Sequence, residues 1–364
     1  MRINGICLRI AVLVFVAMLL CGCDNVRISP EDMAEANKHA GKVTDISIIM
    51  NVETIPEQMY DYILHVDMKG FPYEKMASSL FDLTNEEVEI ITEHYDMTNE
   101  AGEVIGWAKI LRYEEGILGL AESGRYAWFS LDKAKSSLYK SIISSDRLSG
   151  TAYDRYFLSE RFSQEGLNAL PVQSVLEECN GYVESIGISR YFVDVYSIDV
   201  SELQQISNQN EMLQGKYEWG VEDECYLLMY RPYFGEKPLF SIDGENDIRI
   251  LYSTEEKIID LDTGFYFENV TSKEKVNLVT VDQALLQIES LVAELGLKGE
   301  IIEITEVELG YIAKKLQQNP EQGVGVLSPC YGIKAVLTGH DGRKHSGIFL
   351  VDAVAGYGIT WQRQ

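Results

Sequence analysis

The chain has 364 residues, and its 57 acidic side chains outnumber its 31 lysines and arginines, giving a formal net charge of −26. Hydrophobic residues make up 46% of the chain and aromatic residues 10%, which predicts a folded protein and not a disordered tether. The acidity argues against a nucleic-acid partner, because phosphate neutralisation requires a basic surface. It argues equally against close docking of the folded part onto anionic lipid headgroups.

The first 23 residues have the order of a secretory signal. Arg2 and Arg9 precede an apolar run over residues 10–20, and a Leu-Cys-Gly-Cys tetrad ends at Cys23. The run is shorter than the roughly 20 apolar residues that a transmembrane helix needs. This pattern resembles the bacterial lipoprotein signal, and the resemblance implies cleavage before Cys23 and attachment of diacylglycerol to its thiol. Two alternatives stay open: an uncleaved N-terminal anchor, or cleavage near Cys21 without lipid.

The leader predicts where the protein resides. We expect a signal peptide over residues 1–22 and a polar spacer over residues 23–42. The folded part would then be held by the lipid on the extracytoplasmic face of the cell membrane.

Residues 43–168 are predicted to form a strand-rich antiparallel domain. Three closely spaced runs separated by Glu- and Gly-containing turns indicate a meander. A helix is predicted over Pro56–Lys69, and Asp132–Ser145 is predicted to be helical or irregular. The predicted strands are Val43–Val52, Glu87–Tyr95, Val104–Tyr113, Gly116–Ala121 and Arg125–Leu131.

The C-terminal half contains an internal repeat. Residues 172–188 align without a gap with residues 281–297, and apolar side chains recur at helical spacing in both. Gly187 and Gly296 coincide where each helix should end. Each predicted helix is followed by an alternating run that predicts a strand, at residues 191–200 and 300–309.

The alignment extends beyond the helices. Cys225 and Cys330 each begin an apolar strand-like run, and Asp260 aligns with Asp352 before a glycine four residues later. An Asp and a Gly at this spacing suit a hairpin turn. Each unit is therefore predicted to contain one helix and three strands.

This arrangement resembles the PepSY-like unit of membrane-tethered proteins of Gram-positive bacteria, including YycH/YycI-type regulators and clostridial lipoproteins. The resemblance covers about residues 170–364 and is nearest over residues 301–311, 327–331 and 349–353. It implies an α+β fold in which two tandem units, 169–276 and 277–364, each pack a helix on a small antiparallel sheet. It implies a binding or regulatory role and supplies no catalytic residues. The chain departs from the family pattern at Cys330, where members often carry a bulky aromatic residue after the proline.

Few residues suggest chemistry. There is no nucleophile elbow and no His-Glu-x-x-His or Cys-x-x-Cys motif, so we predict neither enzymatic activity nor a cofactor. The alternating oxygen ligands of Asp243, Glu245 and Asp247 make a candidate calcium loop, but Ile248 stands where an EF-hand requires glycine. A solvated turn is the favoured interpretation. His340 and His345 are predicted to flank an exposed hairpin turn.

Three cysteines remain after the leader and the lipid site. Cys179, Cys225 and Cys330 are predicted to be core thiols, and at most one disulfide can form among them.

The sequence thus predicts a lipid-anchored binding or regulatory protein at the cell envelope, with an envelope protein as its partner. Two alternatives remain: a hydrolase acting on wall or peptide substrates, and an acidic lipoprotein that binds a cationic ligand or metal.

Overall fold

The computed structural model describes residues 47–52, 56–98, 102–121, 124–131, 162–163, 165–209, 215, 217–241, 246–294, 301–318, 323–339, 342 and 344–363. All of them belong to one compact unit that spans residues 45–364. The predicted signal peptide, the spacer with Cys23, and the segment Asp132–Ser145 lie outside the described residues.

Strands dominate the described residues. The described part of the chain contains sixteen strands: β1 Ser47–Met50, β2 Tyr60–Met68, β3 Thr92–Thr98, β4 Val104–Tyr113, β5 Gly116–Ala121, β6 Tyr126–Leu131, β7 Tyr191–Ile198, β8 Cys225–Phe234, β9 Lys237–Phe240, β10 Ile248–Ser253, β11 Lys257–Asp262, β12 Phe267–Asn277, β13 Ile301–Gln318, β14 Gly323–Thr338, β15 Lys344–Asp352 and β16 Gly358–Arg363.

These strands form one mixed sheet. Its main path runs β12-β2-β14-β13-β9-β8-β10-β11-β6-β5-β4-β3. Beside that path, β1 pairs with β13, β15 pairs with β14 and β16, and β7 pairs with β8. The β1–β13 and β9–β13 pairs are parallel, whereas the other described strand pairs are antiparallel. The short strand β9 connects the two halves of the path through two residue pairs on each side.

Helices pack against this sheet and none extends it. The α-helices among the described residues are α1 Tyr73–Phe81, α2 Asn85–Ile91, α3 Val172–Ser185, α4 Val200–Gln209 and α5 Val281–Glu294. No helix in the described part of the chain is long and apolar enough to cross a membrane.

The two predicted repeat helices are confirmed. Both α3 and α5 have 14 residues and occupy the aligned positions. Each buries the predicted face, and each lies in a separate hydrophobic cluster: α3 with residues of β8 and β10, and α5 with residues of β13, β14 and β15. The aligned buried residues are Val175, Cys179, Tyr182 and Val183 in α3 and Ala284, Ile288, Leu291 and Val292 in α5.

Strand pairing corrects one part of the repeat alignment. Cys225 lies opposite Ser253, and Cys330 lies opposite Asp352. Ser253 is therefore the counterpart of Asp352, and the predicted match with Asp260 is wrong by one strand. The first repeat carries the additional strand β9 between its second and third strands, and this insertion displaces the residues that follow it.

The predicted fold class is wrong. The chain does not form a strand-rich domain followed by two units that each place a helix on a small sheet, because strands from all three segments share one large sheet. β2 lies between β12 and β14, β1 pairs with β13, and β6 pairs with β11. β2 can enter the sheet beside β14 because β13 and β14 are long, with 18 and 16 residues. β15 pairs with only one end of β14 and leaves the other end to β2. The predicted segment limits stay predictions.

Two local predictions also fail. Pro56–Lys69 contains β2 and no helix, because Leu64, Val66 and Met68 alternate into a core. Glu87–Tyr95 begins in α2. There the Thr84 hydroxyl accepts from the Glu87 amide at 3.3 Å while the Glu87 carboxylate accepts from the Thr84 amide at 2.9 Å. This capping box starts a helix and delays the strand to Thr92. The predicted meander of β4, β5 and β6 is confirmed.

Candidate functional site

The predicted site residues are not brought together. Asp243 and Glu245 lie outside the described residues, as do Cys23 and His340. Asp247 is 5% exposed, which does not fit a residue of a solvated turn. Among the described residues, no group of three or more His, Cys, Asp or Glu side chains is placed to hold a metal ion.

The three core cysteines are confirmed as buried thiols without a disulfide. Burial raises the pKa of the Cys179 and Cys330 thiols to about 12, and it raises the pKa of Cys225 well above its ordinary value. Because the thiolate is the reactive form, these side chains are inert at neutral pH.

Among the described strands, β12 has the largest share of exposed residues, and it ends one side of the sheet path. Its 11 residues pair only with β2 among the described strands. Every residue from Glu268 to Lys275 is exposed. The outer edge of β12 thus presents backbone N–H and C=O groups that no described strand uses, and such groups are a template for pairing with another chain.

Lysine and tyrosine side chains alternate along one face of this edge. Tyr62 lies directly opposite Lys275, and Tyr60 lies opposite the next residue on the same face, Asn277. The Lys275 ammonium is 3.6 Å from the centroid of the Tyr60 ring, and the Lys273 ammonium is 4.9 Å from that of Tyr62. The two rings meet edge to face at 6.4 Å. These distances are those of cation–π contacts, worth about 0.5–1 kcal/mol each at exposed sites. We call Tyr60, Tyr62, Lys273 and Lys275 the Lys–Tyr ladder.

A buried carboxylate fixes the strand beneath the ladder. Asp61, between the two tyrosines, is 4% exposed and accepts a hydrogen bond from the Tyr311 hydroxyl at 3.1 Å. It also pairs with the Lys237 ammonium and accepts from the Tyr62 amide at 2.9 Å. These contacts tie β2 to β9 and β13. Burial, reinforced by Asp61, raises the pKa of the Tyr311 hydroxyl, which therefore stays protonated as a donor.

A second polar group lies on β13 and β14. The Lys334 ammonium is 2.6 Å from the Glu306 carboxylate and 3.6 Å from that of Glu308. Burial raises the pKa of Glu308, Lys334 opposes the rise, and Glu306 adds to it. One lysine thus serves two carboxylates, and the pair retains a proton to higher pH than an isolated glutamate. The arrangement can therefore store a proton.

A third cluster closes the turn after β15. The Asp352 carboxylate accepts from the amides of Val354 and Ala355 at 2.8 and 2.7 Å and pairs with Lys314. Burial lowers the pKa of the Lys314 ammonium. The Asp352 contacts account for a structural role, because they satisfy the backbone of the turn.

Sequence reasoning missed the Lys–Tyr ladder. Its signal is present: Tyr60 and Tyr62 alternate at a spacing of two residues, as do Lys273 and Lys275. That spacing places side chains on one face only if both segments are strands. The segment containing Tyr60 is predicted to be a helix, and in a helix two residues at this spacing lie on different faces, so the rings of Tyr60 and Tyr62 would not meet.

Comparison with known proteins supports the fold alone. No family model matches the chain, and no curated protein matches it. Among solved structures, it is similar to the crystal structure of an uncharacterized protein from Eubacterium rectale ATCC 33656, with a TM-score of 0.55 and 12% identity. The similarity covers 87% of this chain and 91% of the other. The chain therefore shares its overall fold, over most of its length, with that protein.

Proposed function

We propose that this protein is a lipid-anchored binding protein on the extracytoplasmic face of the cell membrane, and that its partner is an envelope protein. The leader that ends at Cys23 supports the anchor and the location. The observation that carries the binding role is β12, an 11-residue edge strand that is exposed along most of its length.

The geometry favours a polypeptide partner over a small molecule. Small-molecule sites are concave and direct a few polar groups at one point. The polar clusters around Asp61 and Asp352 are instead engaged by neighbouring lysines and backbone groups. An exposed strand edge offers a line of backbone donors and acceptors, which an extended peptide matches.

Crosslinking in native membranes, followed by affinity recovery of the protein, tests this function. The wild-type chain is compared with Cys23→Ala, which removes the lipid site, and with Cys21→Ala as a matched control inside the leader. Incorporation of a labelled fatty acid reports lipidation. We expect the wild type and Cys21→Ala to incorporate the labelled fatty acid and to recover the same membrane-protein partner. Cys23→Ala should do neither.

Other outcomes contradict parts of the proposal. Label that persists in Cys23→Ala would show that another residue carries the anchor. If the wild type is labelled and yet recovers no partner, the binding role fails.

A further inference from the structure

We propose that β12 is the docking edge for an extended acidic segment of the partner, which adds to the sheet as a further strand and sets its carboxylates against Lys273 and Lys275. The inference rests on the proposed function, because it names the surface through which that partner is held.

The backbone of β12 supports strand addition. The strand ends the sheet path, so its outer N–H and C=O groups face away from β2. It contains no proline that would remove a donor, and its residue pairing with β2 is regular from Ser272 to Asn277. The irregularities are confined to its first part, at Phe267–Ser272. The regular part is the part that carries the Lys–Tyr ladder.

The chain as a whole is acidic, but one face of β12 selects an acidic segment: Glu274 lies on the face opposite to Lys273 and Lys275, and Glu268 is paired with Lys69. Lys273 and Lys275 lie two residues apart on one face, so their stems are separated by about 7 Å. An added strand with acidic residues at alternate positions repeats that spacing. Within the described part of the chain, each of these ammonium groups contacts a tyrosine ring and no carboxylate. By contrast, the neighbouring Lys69 pairs with Glu268 at 3.7 Å.

Edge lysines also have a purely protective use. Proteins place lysines on exposed edges to discourage pairing with other chains. The two roles predict different behaviour, since a protective edge rejects all strands whereas a docking edge accepts acidic ones. The opposite end of the sheet path, β3, is also exposed but carries Glu93 and Asp96. It therefore offers no comparable site for an acidic strand.

Peptide titration tests the proposal. The probe is a fluorescent peptide of roughly ten residues, a common strand length, in which Glu and Thr alternate. It is titrated with the full-length protein in detergent and followed by fluorescence anisotropy. A second probe carries Gln in place of Glu. Two further probes are methylated on alternate backbone nitrogens, one in each register, so that each loses the donors of one edge.

We expect the Glu peptide to bind about five- to tenfold more tightly than the Gln peptide, because two exposed charge pairs supply the difference. Added salt should reduce that preference. At least one methylated probe should lose binding, because strand addition needs its backbone donors.

Protein variants locate the site. Lys273→Gln/Lys275→Gln should abolish the preference for Glu. Lys75→Gln/Lys344→Gln removes the same charge from two other exposed lysines and should leave the preference intact. Equal binding of the Glu and Gln probes, binding of both methylated probes as tight as that of the unmethylated probe, or no binding of any probe would each overturn the proposal. A preference lost equally in both double variants would also overturn it.

The outcome is separable from that of the proposed function. If the Lys273→Gln/Lys275→Gln protein still recovers the membrane partner as well as the wild type does, the binding role stands and the β12 inference fails. If the wild type recovers no partner, the proposed function itself fails.

Discussion

The hydroxyl of Tyr331 donates a 2.9 Å hydrogen bond to the carbonyl of Val279, two residues before the start of α5. The first repeat has the same contact, since the Tyr226 hydroxyl donates to the Leu170 carbonyl at 2.7 Å, two residues before α3. In each repeat, the second strand therefore fixes the entry of the chain into the helix that covers it. The Tyr226 hydroxyl also accepts from the Leu167 amide at 2.6 Å.

This relationship predicts unequal effects of matched substitutions. Tyr331→Phe removes one hydrogen bond and should lower the free energy of unfolding by about 1 kcal/mol. Tyr226→Phe removes two and should cost about 1.5–3 kcal/mol. Urea unfolding of both variants measures the difference. Equal losses would show that the Leu167 amide contact contributes nothing.

Close packing at the middle of β13 and β14 predicts a rescue. A Cβ added to Gly332 would lie 2.3 Å from the Phe240 ring, and one added to Gly310 would lie 2.4 Å from the Pro238 carbonyl oxygen. Gly332→Ala and Gly310→Ala should each destabilise the fold by about 1–3 kcal/mol. Phe240→Leu should recover more of the loss in Gly332→Ala than in Gly310→Ala. A Cβ at Gly310 also lies 2.5 Å from the Phe240 ring, but its contact with the Pro238 carbonyl oxygen remains because a backbone atom cannot be trimmed.

Thermal unfolding of the single and double variants makes this comparison. If Phe240→Leu fails to relieve Gly332→Ala, the Phe240 ring is not the obstacle that a Cβ at residue 332 meets.

The sequence predicts local elements better than their assembly. The helical faces of α3 and α5 and the meander of β4, β5 and β6 follow from short-range periodicity, which needs no knowledge of distant residues. The assembly depends on pairings that periodicity does not encode. Leu64 faces Leu327 across more than half of the chain, and Ser47 faces Ile301.

The candidate site was missed for a related reason. Its four side chains come from β2 and β12, which are remote in sequence and meet only through their pairing. Each pair, taken alone, is an ordinary alternation of polar residues. The buried partner Asp61 was equally invisible, because an acidic residue in an acidic chain carries no signal of burial until its lysine is known.

The ion pair beneath the ladder predicts non-additive stability. Lys237→Met leaves the buried Asp61 carboxylate without its cation and should cost about 3 kcal/mol. Asp61→Asn/Lys237→Met removes both charges and should cost less than Lys237→Met alone. Chemical unfolding of the wild type, of Asp61→Asn and Lys237→Met alone, and of the double variant gives the coupling energy between the two side chains. Additive losses would mean that solvent already screens the pair.

The raised pKa of Glu308 predicts a stability change that depends on pH. Because the folded state holds this proton above the ordinary pKa of 4.5, the contribution of Glu308 to stability is fully present below that value and is lost as the pH rises through the folded pKa. Glu308→Gln replaces the carboxyl by a neutral amide that cannot ionise, so the variant buries no charge there. It should therefore be more stable than the wild type at neutral pH. The two proteins should converge at about pH 4, where the wild-type carboxyl is also protonated.

Glu306→Gln is the matched control for this prediction. It removes the carboxylate nearer to Lys334, at 2.6 Å, and should not stabilise the protein at neutral pH. Urea unfolding of the three proteins across the acidic range supplies the comparison. A Glu308→Gln protein that is less stable than the wild type at neutral pH would mean that attraction to Lys334 outweighs the cost of burying the Glu308 carboxylate. The proton would then not be retained there.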